Sequence, residues 1–424
     1  MKPLRGGLKL DGKKEATTVP WTIARPDPPR RVRIPLGEDH DGRSFTPLVQ
    51  MGDRVRLGQK LAEPRGNGSV AIHASVSGEV AKIGTFPHPF LGESEAIEIV
   101  SDGKDERIPE IGRERPRWES LGPSETIKIL GESGVAQLDP LLRSPVDTVI
   151  LNGCESEPYL TSGYSLMMSH PMEILKGGEI LRQALRAQEC IIALEDNKEE
   201  VAELLKSKIF LHSRANIRVE VPPARYPQEE ESLLIRELLG RHLTRGRLGA
   251  EVGVAVFNVA EAFAAYEAVA LQKPFYERAV TIGGECVAQP QNVWLRIGTL
   301  VEDAVKCARG FLRPPEKVIL GGPMKGFAID TLEVPLLKET PGILGLPREV
   351  ARPETIEPCI RCGRCVESCP VFISPAMITL AAEKELFDLA EEHGASLCIE
   401  CGNCSYVCPA KRPMVELIQY ANAH

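Results

Sequence analysis

Short stretches of alternating apolar and polar residues, separated by glycines, run from residue 34 to about residue 100. Two of these stretches are similar, because VQMGDRVRLGQKLAEP and IHASVSGEVAKIG each contain a strand-like run, a glycine turn and a second strand-like run. Alternation with a period of two is typical of half-buried strands, and the repetition indicates internal duplication. We therefore predict a small all-β sandwich over residues 34–105, preceded by an N-terminal arm over residues 1–33.

This predicted sandwich resembles the barrel-sandwich hybrid fold of biotinyl and lipoyl domains. Those domains present a lysine for acylation at the tip of the turn between their two halves. The corresponding turn here contains no lysine and consists of Glu63, Pro64, Arg65, Gly66, Asn67 and Gly68. We therefore expect a docking or scaffold role for this domain, without a swinging arm.

The pattern changes after the charged linker SDGKDERIPEIGRERPRWES. Four apolar runs with the length of buried strands lie at residues 146–151, 189–194, 217–221 and 252–257. Stretches with helical periodicity alternate with them at residues 171–187, 198–207, 229–239 and 260–271. Such alternation predicts a Rossmann-like α/β domain with a parallel sheet over residues 120–275.

Two further units are predicted after this domain. The runs RAVTIGG, NVWLRIG, LVEDAVKCARGF and KVILGG follow the order strand, strand, helix, strand, which predicts a β-grasp (SLBB-like) domain over residues 276–330. The segment SPAMITLAAEKELFDLAEEHGASL has helical periodicity, a Ser-Pro start and a glycine stop at Gly394. It lies within residues 350–424, which we predict to be a helical ferredoxin domain. The fold class is therefore multidomain α/β and β.

Composition agrees with a soluble globular protein, since 43% of the 424 residues are apolar and 26% are charged. The formal net charge of −8 argues against a nucleic-acid surface. The basic N-terminal stretch lacks the apolar core of a signal peptide, so secretion is not expected. No run of 18 apolar residues occurs, so the sequence predicts no bilayer span but leaves room for a membrane partner.

Cysteine supplies the candidate chemistry. Eight of the twelve cysteines fall within fifty residues at metal-ligand spacing, which indicates a reducing compartment and ranks disulfides low. The other four are scattered singly: Cys154, Cys190, Cys286 and Cys307. Cys190 and Cys286 lie in apolar runs, so we interpret them as buried structural thiols.

The eight clustered cysteines form two motifs of the type C-x2-C-x2-C-x3-C-P. The first motif contains Cys359, Cys362, Cys365 and Cys369, and the second contains Cys398, Cys401, Cys404 and Cys408. In two-cluster ferredoxins with this spacing, the fourth cysteine of each motif ligates the other cluster. The expected ligands are therefore Cys359, Cys362, Cys365 and Cys408 for one [4Fe-4S] cluster, and Cys398, Cys401, Cys404 and Cys369 for the other.

Zinc binding is the alternative to this prediction. Zinc also binds CxxC pairs, but a four-ligand zinc site leaves the third in-line cysteine and the CP cysteine of each motif unexplained. Arg361 and Arg364 flank the first motif, where they either raise the potential of the nearby cluster or are simply solvated.

Several phrases of the sequence together resemble the C subunit of the Rnf electron-transport complex. They include Gly6-Gly7, VQMGDRVRLGQKL, ASVSGEV, NGCESEPYL, IALEDNK, RYPQ, NVWLRIGT, GGPMKG and CSYVCPAKRP, and they extend from about residue 5 to residue 420. The resemblance implies an electron-transfer subunit docked on the cytoplasmic face of a membrane complex, with the other Rnf subunits and a soluble carrier such as ferredoxin as partners. It also implies a middle domain similar to the flavin-binding subunit of respiratory complex I.

The sequence departs from this family at the expected flavin site. Family members carry a glycine-rich loop, GxGGAGFPT, whose backbone amides cradle FMN, whereas residues 130–142 here read LGESGVAQLDPLL. The stretch after RYPQ, which contains glycine in the family, is Glu229-Glu230-Glu231, and acidic side chains there are expected to repel a phosphate. FMN is therefore a third candidate cofactor, with its binding weakened or absent.

Part of the flavin pocket is retained in the sequence. Asn152, Glu155, Glu157 and Asn258 follow the first and fourth predicted strands, at the edge where open α/β sheets bind ligands. The resemblance implies that they line the flavin site. The alternative is that they only cap helices and satisfy loops after the site was lost.

The function predicted from these observations is electron transfer through two [4Fe-4S] clusters in an Rnf-type membrane oxidoreductase, with a degenerate flavin and NADH site. One alternative is an FMN-dependent NADH dehydrogenase subunit. A second is a related subunit of a soluble redox complex, such as the cobalamin reductase of propanediol-using microcompartments. A third is a structural adaptor whose clusters only stabilise the fold.

Overall fold

The computed structural model of the chain describes most of the sequence, as residues 6–19, 21–36, 45–65, 70–135, 138, 141, 144–212, 216–244, 246–351 and 355–424. Part of the turn between the sandwich halves lies outside the described residues: Gly66, Asn67 and Gly68. The same holds for five residues of the altered flavin loop, namely Ala136, Gln137, Asp139, Pro140 and Leu142.

The N-terminal part forms two antiparallel sheets packed around one apolar core. Its elements are α1 (Glu15–Thr18), β1 (Ile23–Ala24), β2 (Arg31–Pro35), β3 (Phe45–Pro47), β4 (Arg54–Val55), β5 (Lys60–Pro64), β6 (Ile72–His73), β7 (Gly78–His88) and β8 (Gly92–Ser101). One sheet has the order β2-β8-β7-β4 and the other β3-β5-β6. The predicted barrel-sandwich fold is confirmed, and β2 crosses the expected boundary between the arm and the sandwich.

The middle part is an α/β unit whose four strands all run parallel in the order β11-β10-β9-β12. Its elements are α2 (Pro123–Glu132), β9 (Thr148–Asn152), α3 (Ser162–Ser169), α4 (Pro171–Ala184), β10 (Glu189–Ala193), α5 (Glu199–Leu211), β11 (Ile217–Glu220), α6 (Glu231–Leu239), β12 (Val254–Asn258) and α7 (Val259–Leu271). The apolar runs thus form the predicted parallel sheet, because strands covered by helices on both faces need apolar side chains on both faces.

Close contact between α4 and α7 fixes where α7 begins. Gly177 of α4 faces the backbone of α7, and a Cβ atom at this position would overlap the carbonyl group of Ala262. Asn258 caps α7 by accepting a hydrogen bond from the backbone N–H of Glu261 (2.9 Å), and the Glu261 carboxylate accepts from the Asn258 N–H (2.8 Å). The start of α7 is therefore held beside the carboxyl end of β9.

The next unit is a mixed six-stranded sheet with the order β1-β14-β13-β17-β15-β16. Its elements after residue 276 are β13 (Glu277–Gly283), β14 (Gln291–Arg296), α8 (Val301–Cys307), β15 (Lys317–Leu320), β16 (Phe327–Ile329) and β17 (Gly342–Leu346). The predicted strand, strand, helix, strand order is present. The sheet also includes β1 from the N-terminal arm and β17 from beyond residue 330, since both pair with strands that are distant in sequence.

The C-terminal part is helical. Its elements are α9 (Arg348–Ala351), α10 (Arg364–Glu367), α11 (Pro375–Ala382), α12 (Phe387–Glu392), α13 (Asn403–Tyr406) and α14 (Met414–Asn422). The segment with continuous helical periodicity is split into α11 and α12, because Glu385 adopts a left-handed conformation (φ 54°) between them. Both helices pack on α14, so each buries its own apolar face there. Across the described ranges, every helix is too short or too polar to cross a lipid bilayer.

Candidate iron-sulfur centres and the adjoining cavity

Four cysteines from both motifs surround one cavity, which we call the outer site: Cys359, Cys362, Cys365 and Cys408. Cys365 and Cys408 are buried, Cys359 is half-buried and Cys362 is exposed. The first three belong to the loop that enters α10, and the fourth follows α13. The outer site thus reaches the protein surface through Cys362.

The remaining four cysteines of the motifs surround a second cavity, the inner site: Cys369, Cys398, Cys401 and Cys404. All four are buried, with exposed fractions of 6–7%. In both sites the fourth cysteine comes from the other motif, so the structure brings together the same groups of four that the motif spacing predicts. The two sites differ in exposure, which the spacing does not reveal.

The two motif loops have matching backbones. Gly363 and Gly402, each the residue after a second cysteine, both have a φ of 79° and precede a single helical turn. A residue with a Cβ is disfavoured in this left-handed conformation. The glycine at this position therefore lets three cysteines of one loop face the same cavity.

The inner site is anchored to the α/β unit. Tyr226 donates a hydrogen bond from its hydroxyl to the carbonyl oxygen of Cys401 (2.8 Å). The side-chain amide of Asn403, which is fully buried, donates to the carbonyl oxygens of Ser368 (3.2 Å) and Tyr226 (3.4 Å). The backbone N–H of Gly7, in the N-terminal arm, also donates to Ser368 (3.0 Å). These bonds hold the two motifs and the α/β unit together around the inner cysteines.

Burial raises the pKa of two inner thiols, Cys401 and Cys404. It raises the pKa of Cys401 to about 12. Only the thiolate ligates a metal, so the Cys401 sulfur needs a bound cation to lose its proton at neutral pH. None of the twelve cysteines, all of which lie within the described ranges, forms a disulfide bond. Within the described ranges, no group of three or more His, Cys, Asp or Glu side chains is arranged to hold a single metal ion.

A cavity of about 390 Å³ lies where the α/β unit meets the six-stranded sheet. This volume is within the range of small-molecule sites. The four residues expected at the flavin pocket all line it: Asn152, Glu155, Glu157 and Asn258. The ligand-binding edge predicted from the strand ends therefore coincides with a real cavity.

Each of these four residues also satisfies local backbone groups. The Glu155 carboxylate accepts hydrogen bonds from the N–H groups of Gly163 (2.7 Å) and Tyr164 (2.9 Å), at the start of α3. The Glu157 carboxylate accepts from Met324 (3.0 Å) and Lys325 (2.9 Å). Asn152 donates to the carbonyl oxygen of Glu229 (2.8 Å), and Asn258 caps α7. The four side chains therefore do both things that the sequence suggested, because they line the cavity and also cap helices or satisfy loops.

Glu229 projects into the cavity from the segment before α6. Its Oε2 atom accepts a hydrogen bond from the Ser156 N–H (2.8 Å), and its Oε1 atom is buried without a hydrogen-bond partner in the described structure. Burial raises the pKa of Glu229 to about 8, with the charges of Glu157 and Glu195 adding to the effect. At neutral pH this carboxyl group is mostly protonated, so it opposes a phosphate by its bulk more than by its charge.

The cavity also contains positive groups. Arg278 of β13 is buried, and burial lowers the pKa of its guanidinium to about 10. It donates to the carbonyl oxygens of Ala279 (3.3 Å) and Lys338 and forms no ion pair within the described ranges. The first residues of α7, Val259 and Ala260, line the same wall. The Arg278 guanidinium and the start of α7 could therefore bind an anionic group of a ligand. The backbone N–H groups of Ser156, Gly163 and the 324–325 turn already donate to carboxylates of the chain.

Three residues of this region were not predicted as site residues from the sequence. Tyr226 and Lys325 lie within the quoted phrases RYPQ and GGPMKG, so a signal for them was present. Arg278 lies in a strand, and nothing in its sequence neighbourhood indicates that it faces a cavity formed with another unit.

Four family profiles match the chain in the order of its structural units. They are the RnfC barrel sandwich hybrid domain (residues 2–104), the Nuo51 FMN-binding domain (131–267), the SLBB domain (279–328) and the 4Fe-4S dicluster domain (354–410). The dicluster match, together with the eight cysteines, identifies two [4Fe-4S] clusters as cofactors. A crystal structure of an NAD+-reducing [NiFe]-hydrogenase in the air-oxidized state shares the fold at 17% identity and a TM-score of 0.50, over 72% of this chain and 64% of that chain.

Curated relatives match almost the full length of the chain. The C subunit of the proton-translocating ferredoxin:NAD(+) oxidoreductase complex of Clostridium ljungdahlii is 39% identical, over 99% of this chain and 93% of its own length. The C subunit of the Na(+)-translocating complex of Acetobacterium woodii is 36% identical, over 98% and 96%. The C subunit of the ion-translocating oxidoreductase complex of Rhodobacter capsulatus is 35% identical, over 99% and 82%. The chain therefore belongs to the RnfC family, the C subunits of ion-translocating oxidoreductase complexes.

Proposed function

We propose that this chain is the electron-transfer subunit of an Rnf-type ion-translocating oxidoreductase and that it relays single electrons between the cavity side and the protein surface. The observation that carries this proposal is the arrangement of the eight motif cysteines. Four are buried beside the α/β unit, and four reach the surface at Cys362. Two [4Fe-4S] clusters in such positions supply one-electron carriers from the interior to the exterior of the chain.

The ligand sets of the two sites are part of this proposal. Cys369, Cys398, Cys401 and Cys404 hold the inner cluster, and Cys359, Cys362, Cys365 and Cys408 hold the outer one. The other subunits of the complex and a soluble carrier such as ferredoxin are the proposed partners, and the inner face of the cell membrane is the proposed location. The names of the relatives support this assignment, because they include ferredoxin and ion translocation.

We further propose that the flavin and NADH site of this chain is degenerate. The cavity has room for a ligand, but Glu229 lines it, and the backbone N–H groups of Ser156, Gly163 and Tyr164 already donate to carboxylates of the chain. A phosphate needs free N–H donors of this kind. The cations among the described lining residues are Arg278 and Lys325, and Lys325 is paired with Glu230. Arg278 and the start of α7 therefore remain to attract an anion.

A flavin assay on the cluster-loaded chain tests this second proposal. The chain, purified anaerobically and mixed with FMN, is expected to retain far less than one FMN per chain after gel filtration, and NADH is expected to leave the cluster absorbance unchanged. Dithionite serves as the positive control, because it reduces the clusters directly. Retention of one FMN per chain together with bleaching by NADH would overturn the degenerate site.

One alternative function has structural support. The match of residues 131–267 to the Nuo51 FMN-binding domain and the buried Arg278 favour an FMN-dependent NADH dehydrogenase subunit. The same flavin assay decides between the two functions. Co-purification with membranes or with soluble proteins tests the proposed location separately.

A further inference from the structure

The turn formed by residues 321–326, GGPMKG, lies between the cavity and the inner site. Gly321, Gly322, Lys325 and Gly326 line the cavity. On its other side the turn packs against the second motif, because the carbonyl oxygen of Met324 is 3.2 Å from the position that a Cβ atom at Gly402 would occupy. A single short turn therefore separates the cavity from the loop that carries Cys401 and Cys404.

The backbone of this turn is fixed. Glu157, which is buried, accepts hydrogen bonds from the N–H groups of Met324 (3.0 Å) and Lys325 (2.9 Å) with its two carboxylate oxygens. Gly322 packs directly against the Glu157 side chain, and the Gly326 N–H donates to the Gly322 carbonyl oxygen (2.9 Å). The Lys325 side chain thus starts from a rigid position next to the inner site.

The ammonium group of Lys325 is partly screened by one carboxylate. Its Nζ atom lies 3.3 Å from Oε2 of Glu230, and the side chains of the two residues are 37% and 22% exposed. Lys325 directly follows Met324, whose carbonyl oxygen contacts the loop between Cys401 and Cys404. The positive charge of Lys325 therefore lies on the turn that packs against the inner site, and its ion pair with Glu230 is partly exposed to solvent.

Reduction adds one negative charge to an iron-sulfur cluster. A nearby positive charge stabilises the reduced form and a nearby negative charge destabilises it, with less screening than in bulk water. We propose that Lys325 is a positioning residue that raises the reduction potential of the inner cluster, and that Glu230 lowers it. This inference depends on the proposed function, because it assumes a cluster at the inner site.

Arg236 is a second cation near the inner site. Its guanidinium donates to the carbonyl oxygen of Pro370 (3.1 Å) and lies over the ring of Phe372. It comes from α6, on the side of the first motif, whereas Lys325 lies on the side of Cys401 and the cavity. The Lys325–Glu230 pair is the better test, because its two charges predict shifts of opposite sign.

The experiment is an anaerobic redox titration of the full, cluster-loaded chain, followed by EPR. The variants are Lys325→Gln, Glu230→Gln and the double substitution. Cys362→Ala, which removes an outer-site ligand, identifies the inner signal. Lys306→Gln and Asp303→Asn are the matched controls, since these two residues form an exposed ion pair (2.7 Å) on α8.

The inner signal is expected to move to lower potential in Lys325→Gln and to higher potential in Glu230→Gln, with the outer signal unchanged. At a fixed solution potential, we expect the ratio of reduced to oxidised inner cluster to fall about tenfold in Lys325→Gln, which is about 59 mV for one electron. The double variant is expected near the wild type, and the controls are expected to move neither signal.

Two results would count against different parts of this reasoning. If the wild-type chain binds no clusters, the proposed function itself fails. If both clusters form but Lys325→Gln and Glu230→Gln leave the inner potential unchanged, or shift it in the same direction, the role of Lys325 is wrong and the proposed function stands.

Discussion

At the scale of single residues, the carboxyl group of Glu229 is the least expected feature of the cavity. The sequence shows three consecutive glutamates, and the structure gives each a different role. Glu229 lines the cavity and is half-buried, Glu230 pairs with Lys325 and Glu231 begins α6. The raised pKa of Glu229 follows from its removal from water at the cavity wall, since an ionised carboxylate is costly to desolvate without a cationic partner.

This raised pKa predicts a pH dependence of stability. The pKa of Glu229 rises from 4.5 to about 8 on folding, so the folded chain keeps a proton that the unfolded chain releases. Stability is therefore lost as the pH rises through this window. Glu229→Gln removes this pH dependence. The thermal midpoint of the variant minus that of the wild type is therefore expected to be larger at pH 8.5 than at pH 5. The free energy of unfolding that the wild type loses relative to the variant is on the order of a few kcal/mol, because one pKa unit corresponds to about 1.4 kcal/mol.

The measurement is thermal melting of the cluster-loaded chains under anaerobic conditions across this pH range. Glu203→Gln, at an exposed position of α5, is the matched control. A constant offset between Glu229→Gln and the wild type at all pH values would contradict the prediction.

At the scale of elements, two short loops and the single turns that follow them form both sites. The loops before α10 and α13 have the same backbone, and Asn403 joins them through Ser368. The fourth cysteine of each motif follows its turn and therefore points away from the three that precede it. Each loop accordingly depends on the other to complete a set of four thiols.

Crosswise ligation predicts which substitutions have the same effect. Cys408→Ala is expected to remove the same EPR signal as Cys362→Ala, although the two residues belong to different motifs. Cys369→Ala is expected to match Cys401→Ala. In each variant the iron content is expected to fall from about eight to about four per chain, because one of two four-iron clusters is lost.

Iron analysis and EPR spectra of the four variants after anaerobic reconstitution make the comparison. Cys154→Ala, at a buried thiol outside the motifs, is the control and is expected to keep both signals. If Cys408→Ala instead matched Cys401→Ala, each motif would hold its own cluster and the crosswise assignment would be wrong.

At the scale of the whole molecule, the cavity, the inner site and the outer site follow one another from the interior to the surface. The cavity adjoins the inner site through the 321–326 turn, and the outer site opens to solvent at Cys362. Exposed apolar and basic residues line this opening: Ile360, Arg361 and Arg364. An electron-transfer partner is therefore expected to approach the chain at the outer site.

An acidic carrier protein would be attracted by the two arginines at this edge. In the double variant Arg361→Glu and Arg364→Glu, the rate of electron exchange with an acidic ferredoxin is expected to fall about tenfold or more at low salt. The difference from the wild type is expected to shrink as salt screens the charges. Stopped-flow absorbance of the clusters measures both effects.

The matched control changes the net charge equally at a different place. Arg54 and Arg113 are exposed in the sandwich and in the linker before α2, and their substitution by glutamate is expected to leave the rate nearly unchanged. Equal slowing by both double variants would mean that overall charge, and not this edge, governs the encounter.

The sequence predicted the elements whose signals are local. The apolar runs of β9, β10, β11 and β12 matched the parallel strands, because a buried strand needs apolar side chains on both faces. The break between α11 and α12 was not predicted, since the helical periodicity continues across Glu385. The strands β1 and β17 were not predicted either, because β1 has only two residues, β17 contains two glycines, and the partners of both are distant in sequence.

The sequence by itself determined the cluster chemistry and the grouping of the eight thiols, because cysteine spacing within a loop limits which sulfurs can face one cavity. It also indicated the strand ends where Asn152, Glu155, Glu157 and Asn258 meet. Only the tertiary structure decided which site is buried, that the turn carrying Lys325 packs against the second motif, and that the pKa of Glu229 is raised. Exposure and pKa depend on which distant segments pack together, and no local pattern of residues encodes that packing.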